Sequence, residues 1–267
     1  MSLAESIVRI KELLPTDLGS EELRQAFPAE ILRRSMFSAK MTFLPYLSRL
    51  RDVCAEVAAG RMDQATARAR LLDMLGAMGH SPMDEGGLQN PASISRLNLI
   101  IDTQRQMAAS VANIAAETPA TLEEWPAVEL TRFVGRGAPR SDWHERWQAA
   151  GDSVGWEGAA KDAGGFPDWR MVALKGSPIW AALGNGVGGF RDTLGNPYPP
   201  FAYGSGLAWA DVSRDEAIEL GLIDPEVGRA VPGEPQEAPS LSPSESDIAD
   251  AVSRLGFDAD IFSDLAG

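Results

Sequence analysis

The chain has 267 residues, of which 44% are hydrophobic and 23% charged, a composition typical of a globular protein with one or two domains. It contains no run of about eighteen apolar residues, and its N-terminus mixes acidic with apolar residues, so we expect neither a membrane span nor a signal peptide and place the protein in the cytosol where it is made. One cysteine and two histidines exclude an internal disulfide and supply too few ligands for a cysteine- or histidine-built metal site, so we expect no metal and no cofactor.

The formal net charge of −14 is concentrated toward the C-terminus. After Trp209 the sequence has fourteen Asp or Glu residues and three Arg residues. Such a segment repels a phosphate backbone and is attracted to basic protein surfaces, so we expect no direct nucleic-acid binding by this end. A solubilising tail and a tail that docks on a partner fit this charge equally well.

Helical periodicity dominates residues 1–120, which we predict to form a helical arm. Apolar residues three and four positions apart predict one helix from about Leu44 to Ala59 and a second from Met62 or Asp63 to Gly79. The tight turn between them makes the pair an antiparallel hairpin.

Two further helices are predicted in this arm. A long one begins after Ser93 or Ser95, either of which is a good N-cap, and continues to Glu117. A short amphipathic helix is predicted over residues 3–14 and ends before Pro15.

The composition changes after Thr121, and we predict a compact α+β domain over residues 121–231. All seven tryptophans lie beyond this point. Apolar runs at 127–134 and 169–174 predict strands, and Ser213 with Glu216 three residues later predicts the start of a helix with a capping box. The predicted fold class is therefore α+β: a helical N-terminal arm of one hairpin plus a long helix, then the compact domain.

Residues 232–267 are predicted to be a disordered acidic tail. A linker rich in Pro, Ser and Glu is followed by a short amphipathic stretch. That stretch is too short to hold a helix alone, so we expect it to fold on a partner protein. Its candidate contact residues are Ile248, Val252, Leu255, Phe257 and Phe262.

The segment GNGVGG, residues 184–189, matches the spacing of a dinucleotide-binding loop. That loop requires a strand before it and a helix after it, so that the pyrophosphate meets a helix N-terminus. Here FRDTLGNPYPP follows, and its prolines forbid the helix. We therefore interpret the segment as a flexible turn.

Ser205 lies between two glycines, which raises the question of a nucleophile. A nucleophile elbow has glycines two residues to either side and a histidine as base. Gly204 and Gly206 are adjacent instead, and the one histidine of this half, His144, lies in a segment with helical spacing. We predict a structural serine, with an enzyme that uses Ser205 or His144 kept as the alternative.

The order of landmarks resembles the phage minor head proteins of the Mu F type, called head morphogenesis proteins. The resemblance covers roughly residues 28–223. Its strongest element is WRMVALKGSPIW followed by NPYPPFAYGSG, which is similar to the family pattern of a tryptophan, a short spacer and a Pro-Pro turn. Many relatives have cysteines after that turn, where this chain has Gly-Ser-Gly, and this departure removes any thiol or metal role there.

The resemblance implies a structural component of the virion. Family members associate in few copies with the portal vertex and assist head assembly or DNA delivery. The implied partners are the phage portal protein and other head proteins, and the implied locations are the virion and, during assembly, the bacterial cytoplasm. Two alternatives remain open: an enzyme ejected with the DNA, and an acidic scaffolding or nucleic-acid-mimic protein.

The loop GNPYPPFAYGSGLAW, residues 195–209, is too rich in proline and glycine to be a helix or a plain strand. Its prolines reduce the conformational entropy of the unfolded chain, and its aromatic side chains can be buried against the region of Trp180. We predict a turn that closes the core, or, if the aromatic rings are exposed, a contact for a portal subunit. The candidate contact residues are Tyr198, Phe201, Tyr203 and Trp209.

Overall fold

The computed structural model describes residues 1–80, 87–133, 141–155 and 170–225. These residues form two compact units, which meet in sequence between Ala108 and Ala109. The composition predicts a boundary about a dozen residues later, at residue 120. The predicted tail at 232–267, with its five candidate contact residues, lies outside the described residues.

The first unit is mainly helical. In chain order it contains α1 (Leu3–Arg9), β1 (Glu12–Leu13), α2 (Ser20–Ala26), α3 (Ala29–Arg34), β2 (Ser35–Met36), α4 (Leu44–Ala58), α5 (Gln64–Ala77), a 3-10 turn (Gly87–Gln89) and the first two thirds of α6 (Ile94–Ala116).

The helices α4 and α5 are the two predicted members of the hairpin. The apolar stripe of α4 is buried, with Leu47, Leu50 and Cys54 fully inaccessible to solvent. The left-handed backbone at Gly60, with a φ of 72°, follows the end of α4. The side chain of Asp63 caps α5 by accepting the Thr66 amide hydrogen bond at 2.9 Å.

The long helix α6 is also confirmed. Of the two candidate N-caps, Ser93 is the one used: its Oγ accepts a hydrogen bond from the Arg96 amide at 3.2 Å. The predicted stop after Glu117 is followed directly by another helix, because Thr118 accepts the Thr121 amide and caps α7 (Pro119–Glu124).

The N-terminal helix is shorter than its predicted range of 3–14. It ends at Arg9, and β1 then pairs in parallel with β2. The amide of Leu14 donates to the carbonyl of Met36 at 3.0 Å, a partner 22 positions away in sequence. Helical periodicity misses this strand because the hydrogen bonds that form it come from a distant segment.

The second unit confirms the predicted α+β class. After the end of α6 and α7, it contains β3 (Ala127–Arg132), α8 (Trp143–Val154), β4 (Val172–Leu174), α9 (Ile179–Gly184), β5 (Leu207–Val212) and α10 (Arg214–Glu219). Its three strands form an antiparallel sheet in the order β4-β3-β5. Ser213 caps α10 as predicted, accepting the Glu216 amide at 3.2 Å.

Both faces of the sheet are buried. Successive side chains of a strand point to opposite sides, so each face of the sheet packs in its own core. On one face Val128 and Leu130 pack into a core with the helices α8 and α9. On the other, Ala127 and Val212 pack against α10 and the residues that follow it. The first of these cores contains the aromatic residues of the predicted site.

Candidate interaction site

The proline-rich loop, residues 192–206, is held in shape by hydrogen bonds between its two arms. The Leu194 amide donates to the carbonyl of Phe201 at 2.9 Å. Between them, the buried side chain of Asn196 donates from Nδ2 to the carbonyl of Pro200 at 3.0 Å. The Pro199–Pro200 peptide bond at the tip is cis. The loop is therefore an ordered turn that brings Phe201 back toward the sheet.

Aromatic rings from four different segments meet under this loop. The Trp180 ring from α9 is stacked with Phe201 at 5.9 Å between centroids, and its edge contacts Trp209 at 5.1 Å. The ring of Trp147 from α8 lies 5.3 Å from Trp180 on its other side. Contacts at these distances are favourable for aromatic pairs, and the Trp180 indole donates to the carbonyl of Leu174 at 2.9 Å. The burial against the Trp180 region that the sequence predicts is confirmed for Phe201 and Trp209.

The four candidate contact residues of the loop separate by burial. Tyr198 is 1% exposed and Phe201 is fully buried, which favours the core-closing role for these two. Tyr203 and Trp209 are half-buried. Of these four residues, therefore, Tyr203 and Trp209 retain appreciable exposed surface.

The glycine-rich segment 184–189 is a turn, as predicted, but it is closely packed. It follows the helix α9, whereas a dinucleotide-binding loop follows a strand. A Cβ at Gly184 would overlap the carbonyl oxygen of Asn196, and one at Gly186 would overlap the carbonyl of Phe190. These glycines are required so that the turn can approach the proline-rich loop.

Arg146 on α8 is a buried charged residue that the sequence analysis did not identify. It is 5% exposed, and its guanidinium lies 5.1 Å from the ring centroid of Trp143 and 4.4 Å from that of Phe190. It forms ion pairs with Asp142 and Asp192, both at 2.8 Å. Asp142 is four positions before it, at the N-cap of α8, a signal present in the sequence, whereas Asp192 is brought in only by the fold.

Arg146 ties the proline-rich loop to α8, since Asp192 is the first residue of that loop. Around it, several buried polar atoms have no hydrogen-bond partner among the described residues: Nη1 of Arg146, Oδ1 of Asp142, and the indole nitrogens of Trp143, Trp147 and Trp209. The cluster is an apolar and aromatic packing centre in which the guanidinium of Arg146 is paired with two carboxylates.

Ser205 is buried, and its environment is that of a turn residue. Its Oγ accepts a hydrogen bond from the Leu207 amide at 3.3 Å, which closes the turn before β5. His144 is exposed on α8, whereas the neighbouring Trp143 and Trp147 are buried. In the part of the chain that the structure describes, no hydrogen bond joins Ser205 to His144.

The two basic residues on either side of β4, Arg170 and Lys175, form ion pairs. Arg170 contacts Glu129 at 2.6 Å and Glu216 at 2.8 Å, and the hydrogen bonds that it donates to these carboxylates raise the pKa of its guanidinium. Lys175 contacts Glu117 at 2.5 Å and Asp211 at 2.9 Å. Over the described ranges, no three His, Cys, Asp or Glu side chains are grouped closely enough to hold a metal ion.

The first unit has a buried amine, also missed by sequence analysis. Lys11 is 1% exposed, and its Nζ donates to Oε1 of Gln104 on α6 at 2.7 Å. Burial lowers the pKa of this ammonium to about 8 and raises the pKa of the neighbouring Cys54 thiol to about 12. A single lysine between α1 and β1 has no sequence signature of burial, so only the fold reveals it.

No protein-family model, curated protein or solved structure matches the chain at a significant level. In the ranges that the structure describes, none of the helices has the length and hydrophobicity that a membrane crossing requires.

Proposed function

We propose that this chain is a phage or prophage minor head protein, a structural virion component that docks on the portal or on other head proteins and assists head assembly or DNA delivery. The proposal rests on the resemblance of WRMVALKGSPIW and NPYPPFAYGSG to the Mu F type of head protein. One observation supports it: Trp180 from the first motif and Phe201 from the second are stacked in one core. The two motifs thus contribute aromatic rings to one buried core.

A structural role also fits the chemistry around the proline-rich loop. The buried hydroxyl of Ser205 is engaged by the backbone, and the charge of Arg146 is balanced by two carboxylates. These groups stabilise the loop, and a stable loop can present Tyr203 and Trp209 to a partner at low entropic cost.

The test uses mass spectrometry of purified particles together with capture of the portal protein from the same genome. We expect the chain in the particles and capture of the portal that persists at high salt, because apolar contacts are not screened. Absence of the chain from virions would contradict the proposal. Capture that disappears at high salt and after truncation at Val231 would favour the acidic scaffolding alternative.

A matched pair of variants localises the contact. Tyr203→Ala is expected to weaken portal capture while changing the melting temperature little, because this side chain is half-buried at the loop surface. Tyr198→Ala removes a ring that is 1% exposed, so it is expected to lower the melting temperature by several degrees. Equal portal capture by Tyr203→Ala and the unmodified chain would exclude this part of the loop from the contact.

A further inference from the structure

On its outer edge, β5 has backbone groups that pair with none of the described residues. β5 is the last strand of the order β4-β3-β5, and it pairs with β3 from Ala127 opposite Val212 to Arg132 opposite Leu207. In an antiparallel pair, residues that exchange both backbone hydrogen bonds alternate with residues whose N–H and C=O point away.

One hydrogen bond fixes which residues of β5 point outward. The Phe133 amide donates to the carbonyl of Gly206 at 3.0 Å, in the same register as the rest of the strand pair. Because hydrogen-bonded residues alternate along the strand, the backbone N–H and C=O groups of Ala208, Ala210 and Val212 also point toward β3. The Leu130 amide donates to the carbonyl of Met171 on the β4 side, as the same alternation requires. The backbone groups of Leu207, Trp209 and Asp211 therefore point away from the sheet.

The outward edge lacks the usual protection of edge strands. No described residue hydrogen-bonds to the outward N–H and C=O groups of Trp209 and Asp211. Natural edges are commonly blocked by lysine, proline or a bulge, and β5, with the sequence LAWADV, has none of these. Its one charged residue, Asp211, is acidic, and its side chain is 59% exposed beside Lys175.

We propose that this edge of β5 is a strand-addition site for an extended, basic segment of another protein. An added strand would pair with the backbone of Trp209 and Asp211, lay an apolar side chain beside Trp209, and place a Lys or Arg beside the carboxylate of Asp211. The chain's net charge of −14 attracts a basic segment in the same way. The inference goes beyond the proposed function and does not depend on which protein supplies the segment.

A second copy of the chain is a poorer occupant of this edge. Two β5 strands related by a two-fold axis at Trp209 would pair Asp211 of one copy with Leu207 of the other. The Leu207 amide already donates to Ser205 Oγ, so the carbonyl of Asp211 would lose its donor. Two chains of charge −14 also repel each other.

The test is titration of the full chain with capped octapeptides that have Thr at every second position and, at the positions between, alternate Val with Lys or Val with Glu, because the residues beside Trp209 and Asp211 are two positions apart in an added strand. We expect the Val/Lys peptide to bind, the Val/Glu peptide to bind at least tenfold more weakly, and salt to reduce the difference. Asp211→Pro removes an outward N–H and is expected to weaken binding about fivefold beyond the effect of Asp211→Ala, which removes only the side chain.

Two controls make the result decisive. Ala210→Pro removes an N–H that faces β3, so it is expected to destabilise the fold, whereas Asp211→Pro retains the β3 ladder. In hydrogen exchange, the Trp209 and Asp211 amides of the free chain are expected to exchange faster than those of Ala208 and Ala210. Slow exchange at Trp209, no peptide binding up to about 1 mM, equal binding by Asp211→Pro and Asp211→Ala, or a dimer abolished by Asp211→Pro would each overturn the proposal.

Discussion

At the scale of single residues, the largest energetic effects come from groups whose neighbours are distant in sequence. Lys11 is buried and pairs with no carboxylate of the described residues, and burying a cation in this way opposes folding. Gly184, in contrast, favours folding, because it has no side chain and the carbonyl of Asn196 can therefore approach its Cα.

Lys11→Met is expected to stabilise the chain at pH 7 by about 2 kcal/mol, because removal of a buried charge outweighs loss of the hydrogen bond to Gln104. The folded-state pKa of about 8 is below the ordinary value of 10.5, so the unfolded chain binds more protons between these values. The stability of the unmodified chain relative to the variant therefore rises from pH 8 to 10.5. Urea unfolding of both proteins across this range measures it.

The control is Lys40→Met, since Lys40 is exposed. It should leave the free energy of unfolding unchanged within about 0.5 kcal/mol. A constant difference between Lys11→Met and the unmodified chain from pH 7 to pH 10.5 would show that folding does not lower the pKa of Lys11.

Gly184→Ala is expected to destabilise the chain by about 3 kcal/mol or more, because the new Cβ would overlap a backbone atom that cannot rotate away. Gly76→Ala is the matched substitution: it lies inside α5 with open space around it and is expected to stabilise by about 1 kcal/mol. Thermal unfolding of both variants tests the pair, and a neutral Gly184→Ala would mean that the two loops separate easily.

At the scale of elements, α1 is attached to the hairpin by charges as well as by apolar contacts. The carboxylate of Glu5 accepts hydrogen bonds from Arg61 on the turn after α4, at 2.6 and 2.7 Å, and from Arg9 at 2.8 Å. These hydrogen bonds, that of Arg61 first, lower the pKa of Glu5 to about 2.

The contribution of Glu5 is therefore expected to be present above its ordinary pKa of 4.5 and to be lost as the pH falls toward 2. Unfolding of Glu5→Gln should give lower stability than the unmodified chain at pH 7 and the same stability near pH 2. Glu12→Gln, at an exposed acid, is the control. A difference that persists at pH 2 would show that Glu5 acts through packing instead of charge.

Ser213→Ala is expected to cost about 1 kcal/mol, because the first turn of α10 loses the acceptor of the Glu216 amide. The loss should be visible in urea unfolding, since α10 packs Ala217 against the sheet. Ser213→Asp retains an acceptor and should restore most of the stability. An equally destabilised Ser213→Asp would contradict the capping role.

At the scale of the whole molecule, much of the negative charge lies in a segment whose composition is poor in core-forming residues. Residues 232–267 have eight acidic residues and one arginine, which is half of the net charge of −14. The composition of this segment offers few apolar groups for a core. The segment therefore contributes strongly to the net charge of the chain, whereas its effect on the free energy of unfolding is expected to be small.

Deletion of residues 232–267 is expected to lower the salt concentration at which the chain leaves an anion exchanger and to change the free energy of unfolding by less than about 0.5 kcal/mol. Chromatography and thermal unfolding measure the two quantities on the same samples. A clear loss of stability would show that the tail packs on the rest of the chain.

The sequence by itself determined the elements whose signals are local. The hairpin α4–α5, the long helix α6, the cap at Ser213 and the strand β3 follow from periodicity and capping within a few residues. The α+β class follows from them, as does the interpretation of residues 184–189 as a turn, because proline and glycine act on their own backbone.

Only the tertiary structure decided the features that join distant segments. It assigned Glu12–Leu13 to a strand, made Leu207–Trp209 the start of β5, buried Lys11, and brought Asp192 to Arg146. It also divided the aromatic residues of the loop into buried Tyr198 and Phe201 and half-buried Tyr203 and Trp209. Burial and pairing depend on what the rest of the chain places around a residue, and no local pattern of residues contains that information.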